Sequence, residues 1–242
     1  SGGYLDPGIA AAFVDRADEL LAASDAGDVS DRLLAAAPGP PVVVAAGALD
    51  ESLRIFGEAV DLKSPFLHGH CTGVSALAAG ACARLGLAEA DVTLARRTGL
   101  VQDIGRVAVP SGIWEHCGPL GSDAWSQVRL HAYHGEQMLR RCPPLADLAP
   151  LAGMHHDRLD GSGYHRGAAA AQLPTVARVL AAADVLQALR ADRPHRPAHP
   201  PERAAAVLRA EAGAGRLDAD AVEAVLAAAD GAPRARRARP AG

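Results

Sequence analysis

Apolar residues recur along this chain three and four positions apart, the spacing of helix faces, with no strand-like alternation strong enough to build a sheet. From Pro7 to about Ala23, residues Ile9, Phe13, Ala17 and Leu20 or Leu21 share one face and predict an amphipathic helix. A second short helix is expected near Val29 to Ala37. Residues 37–50 join a proline cluster to a short β-branched run and read as a connection to the main domain. From Glu51 to about Arg193 helical periodicity dominates, with turns expected at 61–69, 109–121, 142–145 and 158–174. Two further helices fit Pro200 to Ala212 and Asp218 to Ala229, with Asp218 as the N-cap of the last. The expected fold is all-α: an N-terminal helical segment and linker (1–48), a main domain (49–230) and an Arg-rich, proline-broken tail (231–242).

Composition sharpens this picture. Hydrophobic residues make up 49% of the 242 positions but aromatic ones only 3%, so the core must come from Ala, Leu and Val, which favours closely packed helices. The formal net charge of -4 gives no global pull toward nucleic acid or an anionic membrane surface. Apolar runs fall short of the ~20 residues of a membrane span. Cys71, Cys82, Cys117 and Cys142 are scattered without a C-x-x-C pair, which argues against disulfides and thiolate zinc and for a reducing cytoplasm. The opening Ser1-Gly2-Gly3 reads as an added remnant, so the natural chain is expected to begin earlier.

Several polar residues sit on apolar faces. His70 shares a face with Val74, Leu77 and Ala81. Asp103 is bracketed by Leu100 and Val107, and His131 lies in a stripe with Val128, Gly135 and Met138. Asp184 lies among Val176, Leu180, Ala183 and Gln187. A lone histidine on such a face is ordinarily a satisfied core residue. A buried carboxylate is different, because without a cation or strong donors it costs several kcal/mol. Two such aspartates and several histidines on separate helices share one explanation, a metal centre at the helix junction. The adjacent pair His155-His156, diverging by ~100° if helical, suits two metals better than one. Nitrogen and oxygen donors without thiolates fit Fe, Mn, Co or Ni better than a structural zinc. Two ions ~3.5–4 Å apart activate a water and polarise a phosphoryl oxygen.

The ordered blocks GHCTGV (69–74), QDIGR (102–106), HAYHGEQML (131–139), HHDRLDGSGYHRG (155–167), LPTVARVLAAAD (173–184) and DRPHR (192–196) resemble the HD-GYP family, a branch of the HD phosphohydrolases. The resemblance implies an HD-domain helical bundle with a metal centre between helices. It also implies hydrolysis of a phosphodiester, with cyclic di-GMP or a related cyclic dinucleotide as substrate. Carried over by position, it implies metal ligands at His70, Asp103, His131, His155, His156 and Asp184. Asp103 would bridge the metals, and Arg106 would stand near the scissile phosphate where the family usually has a lysine. Gly163, Tyr164, Arg193 and Arg196 would hold the substrate. The implied cofactors are two divalent transition metals, iron or manganese ahead of cobalt, nickel or zinc.

The departures from the pattern set an alternative beside the enzyme. The His of the His-Asp pair is Gln102, a weaker donor, which points to a single metal and to a weak or inactive module that senses a nucleotide or dimerises. Phe66 stands where three-metal members have Glu, Gly-Tyr-Pro is Gly-Tyr-His through His165, and a later Asp is Gln187. His68, His116, His134, His195 and His199 have no family role and default to surface or supporting positions. A weaker resemblance is to the domain that precedes a LuxR-type helix-turn-helix in some actinobacterial regulators. No DNA-binding helix pair is read in this chain, and the Ala/Leu-rich faces of the terminal helices suggest a homodimer.

Overall fold

Asp6 caps the first helix, its Oδ1 accepting from the amides of Gly8 (2.8 Å) and Ile9 (3.1 Å), while Pro7 fills the first helical position. The structure is a computed structural model that describes residues 6–24, 35–36, 44–164 and 166–231. It divides the chain into two units, Ser1–Val44 and Ala45–Gly242. In the first unit the expected single helix is two, α1 (Pro7–Asp15) and α2 (Ala17–Ser24), parted at Arg16, whose backbone leaves helical geometry (φ -118, ψ 16). Its apolar face, Ile9, Phe13, Leu20 and Leu21, is exposed. The helix expected near 29–37 falls largely outside the described residues, as do the 231–242 tail beyond Gly231 and His165.

The second unit is built of α3 (Leu49–Asp61), α4 (His70–Arg84), α5 (Glu89–Val101), α6 (Ser111–Trp114), α7 (Ser122–Arg140), α8 (Ala149–Met154), α9 (Thr175–Arg190), α10 (Pro201–Gly213) and α11 (Ala219–Gly231). Short 3-10 turns join several of them, notably Ile104–Ala108 after α5. Among the described residues there is no strand, only a single backbone bridge between Arg193 and Arg196. Asp218 caps α11, accepting from Ala221 N at 3.0 Å. The 109–121 stretch, expected as a turn, holds the short α6.

Helix α4 is central, packing on α3, α5, α9 and α11. One core cluster joins its Val74, Leu77, Ala78 and Ala81 to Val179 and Leu180 of α9, Leu208 of α10 and Val225 of α11. A smaller one gathers Leu53, Leu100, Val101, Leu139 and Ala152. Small residues let these helices approach closely: a Cβ on Gly99 of α5 would lie 2.6 Å from Ser75 Cα of α4. Helix α9 is buried beyond the predicted stripe, since Ala177, Val179, Ala181 and Ala182 are covered as well. Two predicted face members are corrected: Val107 and Met138 are exposed. No described helix is long and apolar enough to cross a membrane.

Candidate metal centre

Each polar residue singled out in the sequence stands at a helix start, end or break rather than simply on a face, with His131 and Asp184 the exceptions. His70 opens α4 behind Gly69, which takes the left-handed backbone (φ 73). The buried Asp61 carboxylate fixes that start by accepting from Cys71 N (3.1 Å) and Cys71 Sγ (3.1 Å). Helix α5 stops at Val101, with Gln102 as its C-cap and Asp103 at the head of the 3-10 turn. The sequence places Asp103 inside a continuous helix, and the structure corrects this. The turn forms because Gly105 presses onto α7, where a Cβ would stand 2.0 Å from the His131 carbonyl oxygen and 2.4 Å from Gly135 N. The neighbours His155 and His156 do not diverge, because α8 ends at Met154; their rings lie 4.0 Å apart at a 44° tilt.

All six candidate ligands converge. His70 Nε2 lies 3.2 Å from Asp103 Oδ2 and 3.0 Å from Asp184 Oδ1. His131 Nε2 and His155 Nε2 stand 3.2 and 3.4 Å from Asp103 Oδ1, and His156 Nδ1 is 3.6 Å from Asp184 Oδ2. They form two groups with donor atoms within 4.8 Å of one another: Asp103, His131, His155 and His156 in one, and His70, Asp103 and Asp184 in the other. Asp103 belongs to both.

These residues fit a metal pair. The Nδ1 atoms of His131 and His155 face the carbonyl oxygens of Val128 and Ala152, which can only accept, so each Nδ1 donates and each Nε2 keeps a lone pair. Those two Nε2 atoms lie 3.2 Å apart and both face a carboxylate oxygen. Atoms all bearing lone pairs repel one another unless a cation stands among them. Neither Asp103 oxygen, despite this crowding, makes a hydrogen bond of ordinary geometry, and both are buried. The protonation pattern agrees at both carboxylates and at His131 and His156, whereas Asp103 and Asp184 draw His70 up against its burial. Burial pushes the Asp103 carboxyl up, but the Arg106 guanidinium prevails and holds it well below the usual carboxylate range. Burial is likewise outweighed at Asp184, which pairs with His70. Burial lowers His131, and burial with His155 lowers His156, keeping both rings neutral. Ionised carboxylates and neutral imidazoles are the forms that ligate.

Gln102 is fully buried, its Nε2 donating to Asp184 Oδ1 at 3.2 Å while its Oε1 has no partner among the described residues. It therefore sits beside the His70–Asp103–Asp184 group, which is left with one imidazole against three in the other.

Above the ligands opens a cavity of about 730 Å³. Arg106, His131, His156, Tyr164, Asp184, Arg193 and Arg196 all line it. Arg106 is buried, with Nε 2.9 Å from Asp103 Oδ1 and its guanidinium 5.2 Å above the Trp114 ring. Tyr164 lies against His156 at 4.3 Å, and burial pushes its hydroxyl up to about 12. Arg196 donates to the carbonyls of Ala188 (2.7 Å), Leu189 (3.3 Å) and Pro197 (3.1 Å), so much of its fork braces the end of α9. Among the described residues the Arg193 side chain reaches only the Phe66 carbonyl, at 3.5 Å. Gly163 does not line the cavity. A Cβ there would meet Asp157 Cα at 2.5 Å, so its bareness packs the loop against the histidine pair.

Sequence reasoning missed several residues around this site. Trp114, Trp125, His116 and His195 line the cavity. Glu136, buried on α7, accepts from Arg140 (2.6 Å) and pairs with Arg166 of the glycine-rich loop. A polar side chain four residues before an Arg, on the helix carrying His131, was the available signal for Glu136.

Residues 54–221 match the family model described as the HD domain. The chain belongs to the HD domain family. Its ordered blocks place it in the HD-GYP branch of that family. It is 33% identical over 211 residues to 3'3'-cGAMP-specific phosphodiesterase 3 of Vibrio cholerae, covering 86% of this chain and 46% of that one. It is 35% identical over 132 residues to the cyclic di-GMP phosphodiesterase PA4108 of Pseudomonas aeruginosa, covering 54% and 32%. This HD domain chain thus spans less than half the length of those relatives. A crystal structure of the cyclic GMP-AMP-specific phosphodiesterase V-cGAP3 of V. cholerae superposes with a TM-score of 0.54 at 28% identity, over 96% of this chain and 54% of that one. The HDGYP-type protein Bd1817 of Bdellovibrio bacteriovorus gives 0.59 at 15% identity, over 76% and 64%, and shares the fold.

Proposed function

We propose that this HD-GYP chain is a metal-dependent phosphodiesterase acting on a guanine-containing cyclic dinucleotide, cyclic di-GMP or 3'3'-cGAMP. The observation that carries the reading is Asp103, a buried carboxylate shared by two ligand groups, of which His131, His156 and Asp184 line an Arg-bearing cavity. The ligands would be His131, His155 and His156 with Asp103 for one ion, and His70 and Asp184 with Asp103 for the other; iron or manganese suits these donors. When bound, the ions supply Lewis-acid polarisation of a phosphoryl oxygen and a water acidic enough to attack phosphorus.

The chain's own residues do the rest. Asp103 ties the two halves of the site together. Arg106 keeps its proton, so it offsets charge on the phosphoryl oxygens rather than protonating the leaving group. Arg193, whose side chain makes one long hydrogen bond among the described residues, is the freer of the two cavity arginines to take a phosphate, while Arg196 shapes the rim. Tyr164 closes the wall over His156.

Gln102 favours a second reading, a nucleotide-binding module with one tight metal and little turnover. The three-imidazole group should fill first, and the group beside Gln102 should bind more weakly. Metal analysis of anaerobically prepared protein, with turnover assays on bis(p-nitrophenyl) phosphate, cyclic di-GMP and 3'3'-cGAMP, separates the two. About two equivalents and a linear or mononucleotide product support the enzyme. One equivalent with nucleotide binding and no product supports the module. Protein without bound metal after reconstitution refutes both.

A further inference from the structure

The chain is nearly devoid of aromatic side chains, with 2 Trp, 3 Tyr and 3 Phe in 242 residues. Both tryptophans and Tyr164 nevertheless line the cavity above the ligand cluster. A core built of Ala, Leu and Val has no need of them there, and a bare phosphate would need only cations. The two indoles have different surroundings. Trp114 is committed to the protein: Arg106 covers its ring at 5.2 Å and His131 meets it edge-on at 5.7 Å. Trp125, in the first turn of α7, is 46% exposed, and its one ring contact among the described residues is a T-shaped one with Tyr164 at 6.3 Å. That edge contact sets the plane of the indole and leaves a face uncovered. A large apolar ring held this way at a cavity wall forgoes burial unless a flat partner lies on it.

We propose that Trp125 is a base platform: a purine of the substrate stacks on its indole while the phosphate reaches Arg106 and the ligand cluster. This rests on the dinucleotide reading above and adds the residue that would recognise the nucleoside half of the substrate. Tyr164 orients the platform, because one side of its own ring is taken by His156 at 4.3 Å. Stacking tolerates any base with a π-face, so Trp125 supplies affinity for purines without choosing between guanine and adenine.

The test uses the full chain with GMP, AMP and ribose 5-phosphate as equilibrium probes. Trp114→Phe leaves Trp125 as the sole indole, and GMP and AMP should then quench its fluorescence where ribose 5-phosphate does not. Base–aromatic stacking of about 1–3 kcal/mol corresponds to about a 5- to 150-fold change in Kd. Trp125→Ala should therefore weaken GMP and AMP by about fivefold or more and leave ribose 5-phosphate within about twofold. Trp125→Phe should restore most of the affinity. With a cyclic dinucleotide, Trp125→Ala should raise KM with little change in kcat. Unchanged GMP affinity in Trp125→Ala overturns the proposal, as does an equal loss for GMP and ribose 5-phosphate. Purine-selective quenching in a protein that turns over no dinucleotide would refute the proposed activity and uphold the platform.

Discussion

Gly105→Ala is the sharpest probe of how this chain places Asp103. The added methyl would stand 2.0 Å from the His131 carbonyl oxygen, 2.4 Å from Gly135 N and 3.0 Å from Gly135 Cα, against 3.4–4 Å for ordinary contact. All three atoms are backbone, so no side chain can swing aside. The 3-10 turn and α7 must separate by roughly 1 Å, about twice the ~0.5 Å tolerance of a preorganised site. Asp103 heads that turn, and His131 Nε2, now 3.2 Å from Asp103 Oδ1, is on α7. Overpacking of this kind costs about 1–3 kcal/mol, and about 2–4 °C of Tm per kcal/mol is expected for a domain of this size. A Tm loss of about 2–12 °C is therefore expected, with metal affinity reduced at least about tenfold. Differential scanning fluorimetry and metal titration on the same preparations measure both. Gly112→Ala, whose methyl would meet nothing within 4 Å, is the matched control and should change neither. Wild-type metal affinity in Gly105→Ala would show that the Gly105–Gly135 contact does not position Asp103.

Gln102→His should raise bound metal toward two equivalents and tighten the weaker site about tenfold or more, read by metal analysis and calorimetry; no gain would remove Gln102 as the defect. Glu136→Ala should cost about 1.5–3 kcal/mol in urea unfolding, because it removes the carboxylate that pairs with Arg140 and the half-buried Arg166. Glu136→Gln should cost less, and both should loosen the loop bearing Tyr164, seen as faster proteolysis near residues 158–167. Of the four thiols, Cys117 and Cys142 are exposed and should react with a chromogenic disulfide in the folded protein, whereas Cys71 and Cys82 should react only on unfolding. Burial pushes the Cys82 thiol up to about 11 and the Cys71 thiol up as well, so neither offers thiolate near neutral pH. Cys117 lines the cavity, and bound nucleotide should slow its reaction selectively.

The sequence by itself settled the secondary-structure class and nominated the candidate ligands. Helical spacing leaves no room for a sheet, and a carboxylate or imidazole among Val, Leu and Ala stands out because burying it alone is expensive. His70, Asp103, His131 and Asp184 were visible on that ground, while the roles of the arginines came only with the ordered motifs. Tertiary structure decided the rest. Periodicity carries a helix through Asp103, but the fit of Gly105 against α7 breaks it there, and contact between two backbones leaves no local trace in a hydropathy pattern. His155 and His156 read as diverging neighbours until the end of α8 turns them side by side. Arg193 and Arg196 look alike in sequence, yet the carbonyls at the end of α9 occupy one and leave the other nearly free. Trp114 and Trp125 look like ordinary apolar residues until the fold gathers them around one cavity. One-dimensional patterning reports what must be hidden from water; which atoms then meet depends on packing between segments far apart in the chain.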